Sequence, residues 1–303
     1  MAIYELSNID IRENEPLSRH STFKIGGNAK IACFPKNSEE LCACISYCRA
    51  NNVKFIVMGN ASNVLFDDLG FDGAVIFTVH MNELEYVRLP EYTLIKVGAG
   101  RSLTELASET GKRHSLSGLE FAYGIPGTVG GAVYMNAGAY GGQMSDVVVE
   151  TEYLNITDMT VHTITAREHQ YSYRKSVFMQ HPEYVIIGTT LKLALADAEQ
   201  IFAAMTKNIT ARKEKQPLEF PNAGSVFKRP AENVFAGKLI QDANLKGYSI
   251  GGAQISEKHA GFIVNRGNAT SKDVLDLVEY TKQVVYEQFG YMLECEIIYV
   301  PYN

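Results

Sequence analysis

Cysteine is scarce in this chain of 303 residues: Cys33, Cys42, Cys44, Cys48 and Cys295, with no C-x-x-C pair. That scarcity argues against a disulfide framework or a thiolate metal site and favours buried, reduced thiols. No uninterrupted apolar run reaches spanning length, which excludes a helical membrane span. The opening MAIYELSNIDIRENEPLS has early acids and no apolar centre, so it does not read as a secretory signal and the expected location is the cytoplasm. Neither a Walker loop nor a G-x-G-x-x-G fingerprint is present, which disfavours a P-loop NTPase and a nicotinamide Rossmann site. Tandem repeats and low-complexity tracts are also missing. Charge of one sign is not concentrated anywhere. The net charge is −6, yet residues 201–303 hold 12 Lys/Arg against 11 Asp/Glu. Lys207 to Lys246 carries eight basic and four acidic residues, too sparse for a nucleic-acid face. It suits one small anionic ligand, or equally a solvated surface.

What the chain has in quantity is glycine, in one place. The 27 residues Leu116–Gly142 hold eight glycines, one Pro and three tyrosines, with almost no charge. Glycine admits positive φ and lets main chain approach a ligand closely. A neutral, glycine-dense segment therefore suggests backbone laid against a large planar or phosphorylated cofactor, with tight turns between strands as the plainer alternative. A second stretch, Lys54–Met58, reads as a buried strand emptying into Gly59-Asn60-Ala61-Ser62-Asn63. Small polar residues after a strand offer N–H groups and hydroxyls to a phosphate, or simply make a turn.

Around these lie ordinary elements. A helix starts at Ser38, with Leu41, Cys44, Ile45 and Cys48 on one face. Ser102 and Glu105 form a capping box for a helix that Gly111 is expected to close. Strands are expected at Ala74–Val79, Tyr92–Val97, Val147–Ile156, Thr160–Thr165 and Tyr184–Leu193. Asp197 caps a helix to about Lys215, and Gln216-Pro217 marks the best domain boundary. A long helix spans Ser271–Phe289 and stops at Gly290. A final strand, Leu293–Val300, would put Glu294 and Glu296 on one face and Leu293, Cys295 and Ile297 on the other. Strands before the boundary and a mixed unit after it give an α+β class. Three polar groups stand out within this frame. Arg174 is flanked by aromatics in YSYRKS, Ser225 follows Asn222-Ala-Gly224, and Glu296 sits in the last strand. By themselves they read equally as a surface arginine, a turn serine and a solvent-facing acid.

Several blocks taken together resemble a known family. STFKIGGNA (21–29), MGNASNVLF (58–66), GIPGTVGGAVYMNAGAYG (124–141), YSYRKSVF (171–178), NAGSVFKRP (222–230), AGKLIQDANLKGYSIGGAQIS (236–256), KHAGFIVN (258–265) and LECEI (293–297) occur in the order found in the UDP-N-acetylenolpyruvoylglucosamine reductases, the MurB family. The resemblance covers nearly the whole chain. It implies a vanillyl-alcohol-oxidase-type FAD-binding fold of two subdomains, 1–80 and 81–202, plus a C-terminal α+β substrate domain, 203–303. FAD would be bound non-covalently, and NADPH would be the hydride donor. The substrate would be UDP-N-acetylglucosamine enolpyruvate, reduced to UDP-N-acetylmuramate for peptidoglycan. No nucleic acid or membrane would be involved.

By motif matching, Gly59, Asn60, Ala61, Ser62 and Asn63 contact FAD, as do Gly124, Ile125, Pro126, Gly127, Gly130, Gly131, Ala132, Asn136 and Gly138. Arg174, Ser225 and Glu296 fall on the family's catalytic Arg, Ser and Glu. Arg174 and Glu296 would stabilise an enediolate formed by hydride arriving from flavin N5, and Ser225 would donate the proton. Lys228, Arg229, Lys258 and His259 are candidates for the UDP-sugar pyrophosphate. Two departures stand out. Ala61 replaces a usual glycine, which suggests a loop without positive φ, and Arg229 stands where many relatives have Asn. The 51 positions from Arg174 to Ser225 suit the subtype lacking a Tyr-bearing loop. The rivals are an alcohol oxidase of the same fold, often with tethered flavin, and a flavin or nucleotide-sugar binding protein without turnover.

Overall fold

Helix starts in this chain are written as side-chain caps. In a computed structural model describing residue 6 and residues 8–303, the helices are α1 (Ser38–Ala50), α2 (Leu103–His114), α3 (Val129–Tyr134), α4 (Ala198–Lys215), α5 (Ala236–Asp242) and α6 (Ser271–Phe289). The first residues of the lead read above as lacking a signal, 1–5 and 7, lie outside the described residues. Asn37, Ser102, Thr128 and Thr270 each accept an N–H from the first turn of the helix that follows. Such caps are typically worth about 1 kcal/mol each. α1 buries the Leu41, Cys44, Ile45 and Cys48 stripe, and α6 ends at Gly290 with φ 74°.

Two expectations are corrected. Gly111 does not close α2, which runs on to His114 and ends at Ser115 with φ 52°. Gly111 is instead a packing glycine: a Cβ there would lie 2.9 Å from Ile201 Cγ2 and 3.0 Å from Met205 Sδ of α4. The last strand is also shorter than expected, spanning only Ile298–Val300. Upstream of it, Leu293 and Ile297 are buried as the alternation demands, but the pairing there is a single bridge, Phe227 to Cys295.

The strands Asp10–Pro16, Asn28–Phe34, Phe71–Phe77 and Phe55–Met58 form one sheet in that order, with Phe55–Met58 parallel to its neighbour. The chain divides into two compact units. The first holds the chain up to Arg12, Ala32–Asn60 and Ala74–Arg212. Its main sheet runs Thr160–Thr165, Val148–Asn155, Tyr184–Leu195, Tyr92–Gly98, Leu84–Arg88, all antiparallel. A core of Ile95, Leu103, Leu106, Val129, Val133, Met144 and Leu191 lies between that sheet and helices α2 and α3. Burying side chains of this size is worth roughly 1.5–3 kcal/mol each.

The second unit holds Glu13–Ile31, Ala61–Gly73 and Lys213–Asn303, its last segment beginning in the last turn of α4, close to Gln216-Pro217. Here an antiparallel sheet, Asn222–Ser225, Phe262–Asn265, Ala253–Ile255, Ser249–Ile250, packs on α5 and α6 through Ile240, Ile255, Ile263, Val274 and Leu277. Phe23, Ile25 and Leu65 from the two early segments join this core. Asp68 accepts the N–H groups of Ser271 and Lys272, so an early loop caps α6. Among the described residues no helix is long and apolar enough to cross a membrane, and none of the His, Cys, Asp and Glu side chains cluster in a way that could hold a metal.

Candidate active site

In the first unit the glycine-rich segment is folded onto the loop before α2. Gly130 N–H donates to the Ala99 carbonyl at 2.8 Å and Val129 N–H to Arg101 at 2.9 Å, while Leu103 N–H donates back to Gly127 at 2.9 Å. Gly130 is required there, because a Cβ would sit 2.8 Å from the Ala99 Cβ. Thr104 Oγ1 takes the Gly124 N–H and gives its own proton to the Ile125 carbonyl. Thr128 caps α3 through the Gly131 N–H at 3.3 Å, and Gly131 itself is exposed, with Thr128 Oγ1 3.5 Å from where a Cβ would sit. Asn60 Nδ2 donates to the Pro126 carbonyl at 3.2 Å, and a Cβ on Gly59 would come within 2.1 Å of Thr128 Oγ1. The end of the Phe55–Met58 strand is therefore seated on Thr128, a residue the motif reading quoted but did not single out.

From Gly59 to Asn63 none of the backbone N–H groups has an acceptor among the described residues. Ala61 adopts φ 44°, which corrects the expectation that this loop does without positive φ. The consecutive donors fit a group dense in acceptor oxygens such as the pyrophosphate of FAD. Asn136, in contrast, is buried and its side chain is engaged within the protein: Oδ1 accepts the Ser145 N–H at 3.0 Å and Nδ2 donates to the Ser172 carbonyl at 3.1 Å.

Arg174 occupies the tip of a hairpin closed by Ser172 and Lys175, with φ 53°. Its Nη2 donates to the Gly138 carbonyl at 3.1 Å and its guanidinium lies 5.0 Å from the Tyr173 ring centre. Below the tip, Tyr171 stacks on His169, and burial raises the phenol pKa and lowers the imidazole pKa. Sequence reasoning missed Arg212, a buried arginine at the end of α4 whose guanidinium is 5.8 Å from the Tyr140 ring and whose side chain abuts Gly124. In the sequence it lies in a charged helix tail, ARKEK, and nothing there marks it as buried.

In the second unit Ser225 and Glu296 are held in register by the residue between them in the ladder. The Val226 N–H donates to the Gly261 carbonyl at 2.9 Å, and the Val226 carbonyl accepts the Glu296 N–H at 2.7 Å. Asn63 Nδ2 donates to the Glu296 carbonyl at 2.9 Å, and Asn63 accepts the Ile298 N–H, so one asparagine brackets Glu296. Gly224 turns at φ 78° with open space around it, and the half-buried Ser225 hydroxyl has no hydrogen bond among the described residues. The cation candidates are occupied. Lys228 pairs with Glu294, Lys258 reaches the Lys213 carbonyl and Glu219, and Arg229 lies over Phe235. His259 Nδ1 accepts the Gly261 N–H, and burial lowers its pKa.

Two family models fall on this chain. An FAD binding domain matches residues 29–165, and the C-terminal domain of UDP-N-acetylenolpyruvoylglucosamine reductase matches 216–300. The first places the chain in the class of FAD-binding flavoproteins, with the α+β, vanillyl-alcohol-oxidase-type fold expected from its motifs. The relatives narrow the class. UDP-N-acetylenolpyruvoylglucosamine reductase of Caldanaerobacter subterraneus is 46% identical over 94% of this chain and 91% of its own length. The enzyme of that name from Streptococcus pyogenes serotype M12 is 43% identical over 99% of each chain. The crystal structure of the Thermus caldophilus reductase aligns with a TM-score of 0.79 at 35% identity, covering 97% of this chain and 99% of that one. The chain belongs to the UDP-N-acetylenolpyruvoylglucosamine reductase (MurB) family.

Proposed function

We propose that this protein reduces the enolpyruvyl ether of UDP-N-acetylglucosamine enolpyruvate to UDP-N-acetylmuramate, a step of peptidoglycan precursor synthesis in the cytoplasm, using non-covalent FAD and NADPH. The observation that carries this reading is the family match over almost the entire chain, which spans the segments bearing Arg174, Ser225 and Glu296. Residues 1–80 and 81–202 hold FAD through the Gly59–Asn63 segment and the Gly124–Gly138 segment apart from Asn136, whose carboxamide is committed to Ser172 and Ser145, and residues 203–303 bind the substrate. Flavin held by these segments would supply the redox chemistry that links NADPH to the enolpyruvyl group.

The protein's own groups manage the charge that follows. Electron density gathers on the substrate carboxylate, where a fixed cation and a donor stabilise the transition state more than the ground state. Arg174 is that cation, its fork matched to a carboxylate. Glu296 adds a donor when its carboxyl carries a proton. Ser225 delivers its hydroxyl proton to the carbon next to the carboxylate, a role supported by the absence of a competing acceptor among the described residues. Lys228, Arg229, Lys258 and His259 are assigned to the pyrophosphate, which would draw Lys228 from Glu294 and Lys258 from Glu219. Binding titrations of their four alanine variants with a UDP-sugar test that assignment, and unchanged affinity in all four refutes it.

The visible spectrum before and after NADPH is the direct test of the whole reading. A yellow protein bleached by NADPH and recoloured by the enolpyruvyl substrate is expected. A colourless protein that takes up no added FAD overturns the proposal.

A further inference from the structure

Five consecutive residues, Tyr134–Gly138, grip the hairpin that presents Arg174 at three points. On one leg Ser176 Oγ donates to the Tyr134 carbonyl at 2.5 Å. On the other leg the Ser172 carbonyl accepts from Asn136 Nδ2 at 3.1 Å. At the tip Arg174 Nη2 donates to the Gly138 carbonyl at 3.1 Å. The hairpin is closed by the Ser172–Lys175 pair, with N···O distances of 3.2 Å in both directions, and lower down by the Val177 N–H, which donates to the His169 carbonyl at 2.8 Å. A non-glycine residue at φ 53° costs of order 1–3 kcal/mol and persists only where its surroundings hold it. Asn136 is built for that purpose. It is 1% exposed, and it adopts φ 46°, a conformation asparagine tolerates better than most residues. Its carboxamide orientation is fixed by the Ser145 N–H, which must meet an oxygen.

We infer that Asn136 is a positioning residue for Arg174, setting the direction of the guanidinium by holding the Ser172 leg rather than by touching the cofactor. The inference rests on the role given to Arg174 under the proposed function. The two ends of the Asn136 side chain serve different segments, and this makes the inference separable. Asn136→Asp keeps the acceptor for Ser145 and replaces only the donor, so that an oxygen faces the Ser172 carbonyl and Gln143 Oε1. Asn136→Gly removes the amide without adding charge and retains access to the left-handed region.

The test uses the holoenzyme and separates the two half-reactions by stopped flow. For both variants, FAD affinity of the apoprotein and flavin bleaching by NADPH stay within about twofold of wild type, while recolouring by the enolpyruvyl substrate slows by roughly 10- to 100-fold, within the range set by misplacing a catalytic group. A second readout needs no redox chemistry: trypsin should cut after Arg174 or Lys175 faster in both variants, because the hairpin is released. Adding Asn136→Asp to Arg174→Ala should slow recolouring no further than Arg174→Ala alone. Normal recolouring in the Asn136 variants, multiplicative losses in the double variant, or lost FAD binding with normal recolouring of the remaining holoenzyme would each overturn the inference. Normal recolouring in Arg174→Ala would instead remove the role of Arg174 itself.

Discussion

From Gly59 to Asn63 the backbone donors are idle among the described residues, whereas from Ile125 to Ala132 all but that of Thr128 are engaged. Ile125, Gly127, Val129, Gly130, Gly131 and Ala132 all donate to partners within the segment or the loop before α2. Both stretches are rich in small residues, yet under the proposed function they would serve the cofactor in different ways. The engaged stretch is a frame: its glycines permit close approach of chain to chain, and its exposed surface is shape rather than hydrogen bonding. The idle stretch is a donor row. An N–H without an acceptor costs about 1–3 kcal/mol when buried, so such a row is stable only against water or a ligand. Glycine density alone therefore does not locate a phosphate cradle.

The same division between idle and engaged groups orders the experiments. The idle Ser225 hydroxyl gives the largest expected effect. Ser225→Ala leaves bleaching by NADPH intact and slows recolouring by the enolpyruvyl substrate by roughly 10²–10⁴, the usual loss for a positioned acid. Stopped-flow absorbance at the flavin band reads both phases, and normal recolouring would put Ser225 among the bystanders. Next is Gly59, where the donor row meets the frame. Gly59→Ala drives a methyl into Thr128 Oγ1 and so disturbs the α3 cap. Overpacking of this kind costs about 1–3 kcal/mol, so FAD affinity should fall roughly ten- to a hundredfold when apoprotein is titrated with FAD. Unchanged affinity would mean that frame and donor row do not depend on one another.

Legibility in the sequence followed the range of the interactions. Caps and stripes are local, and the start of α1, the bounds of α6 and the strand Thr160–Thr165 could be read from neighbouring residues. Gly111 could not, because the α4 side chains that require a glycine there come some 90 residues later. The tie from Glu296 to Val226, the capture of Lys228 by Glu294 and the burial of Arg212 are equally non-local. Site residue types were legible through the motifs. Whether a given donor is idle or engaged was not, since that depends on which distant carbonyl reaches it. Asn136 shows the limit: its motif suggested cofactor contact, while its amide is committed to Ser172 and Ser145.

A smaller effect is expected where the engaged network is asked to carry a charge. His169 is fully buried, with Nδ1 against the Thr165 carbonyl and Nε2 against the Thr151 hydroxyl. Burial holds its pKa below the ordinary 6.5. The unfolded chain therefore binds a proton that the folded one resists, and stability declines as pH falls from about 6.5 toward the depressed value, levelling off below it. His169→Gln should lower stability at pH 8 by about 1–2 kcal/mol through lost hydrogen bonds, yet give a shallower decline of Tm between pH 7 and 5. Thermal melts across that range check it. An unchanged slope would assign the acid sensitivity to other groups, His259 first among them, since burial lowers its pKa as well.

The smallest expected change tests the donor row itself. Ala61 holds φ 44° although it has a Cβ, a conformation that costs an L-residue roughly 1–2 kcal/mol. Restoring glycine relieves that strain but returns about 0.4–1 kcal/mol to the unfolded chain as freedom. The net for Ala61→Gly is a gain of about 0.5 kcal/mol, or a Tm rise of roughly 1–2 °C. If the strained alanine serves only to aim the idle N–H groups, glycine can take the same φ and FAD affinity will be unchanged. If instead the methyl, which is buried, fixes the loop in one conformation, the variant will be more stable yet bind FAD more weakly. Melting and FAD titration on the same preparation separate the two, and a fall in both would mean that Ala61 is relaxed where it stands.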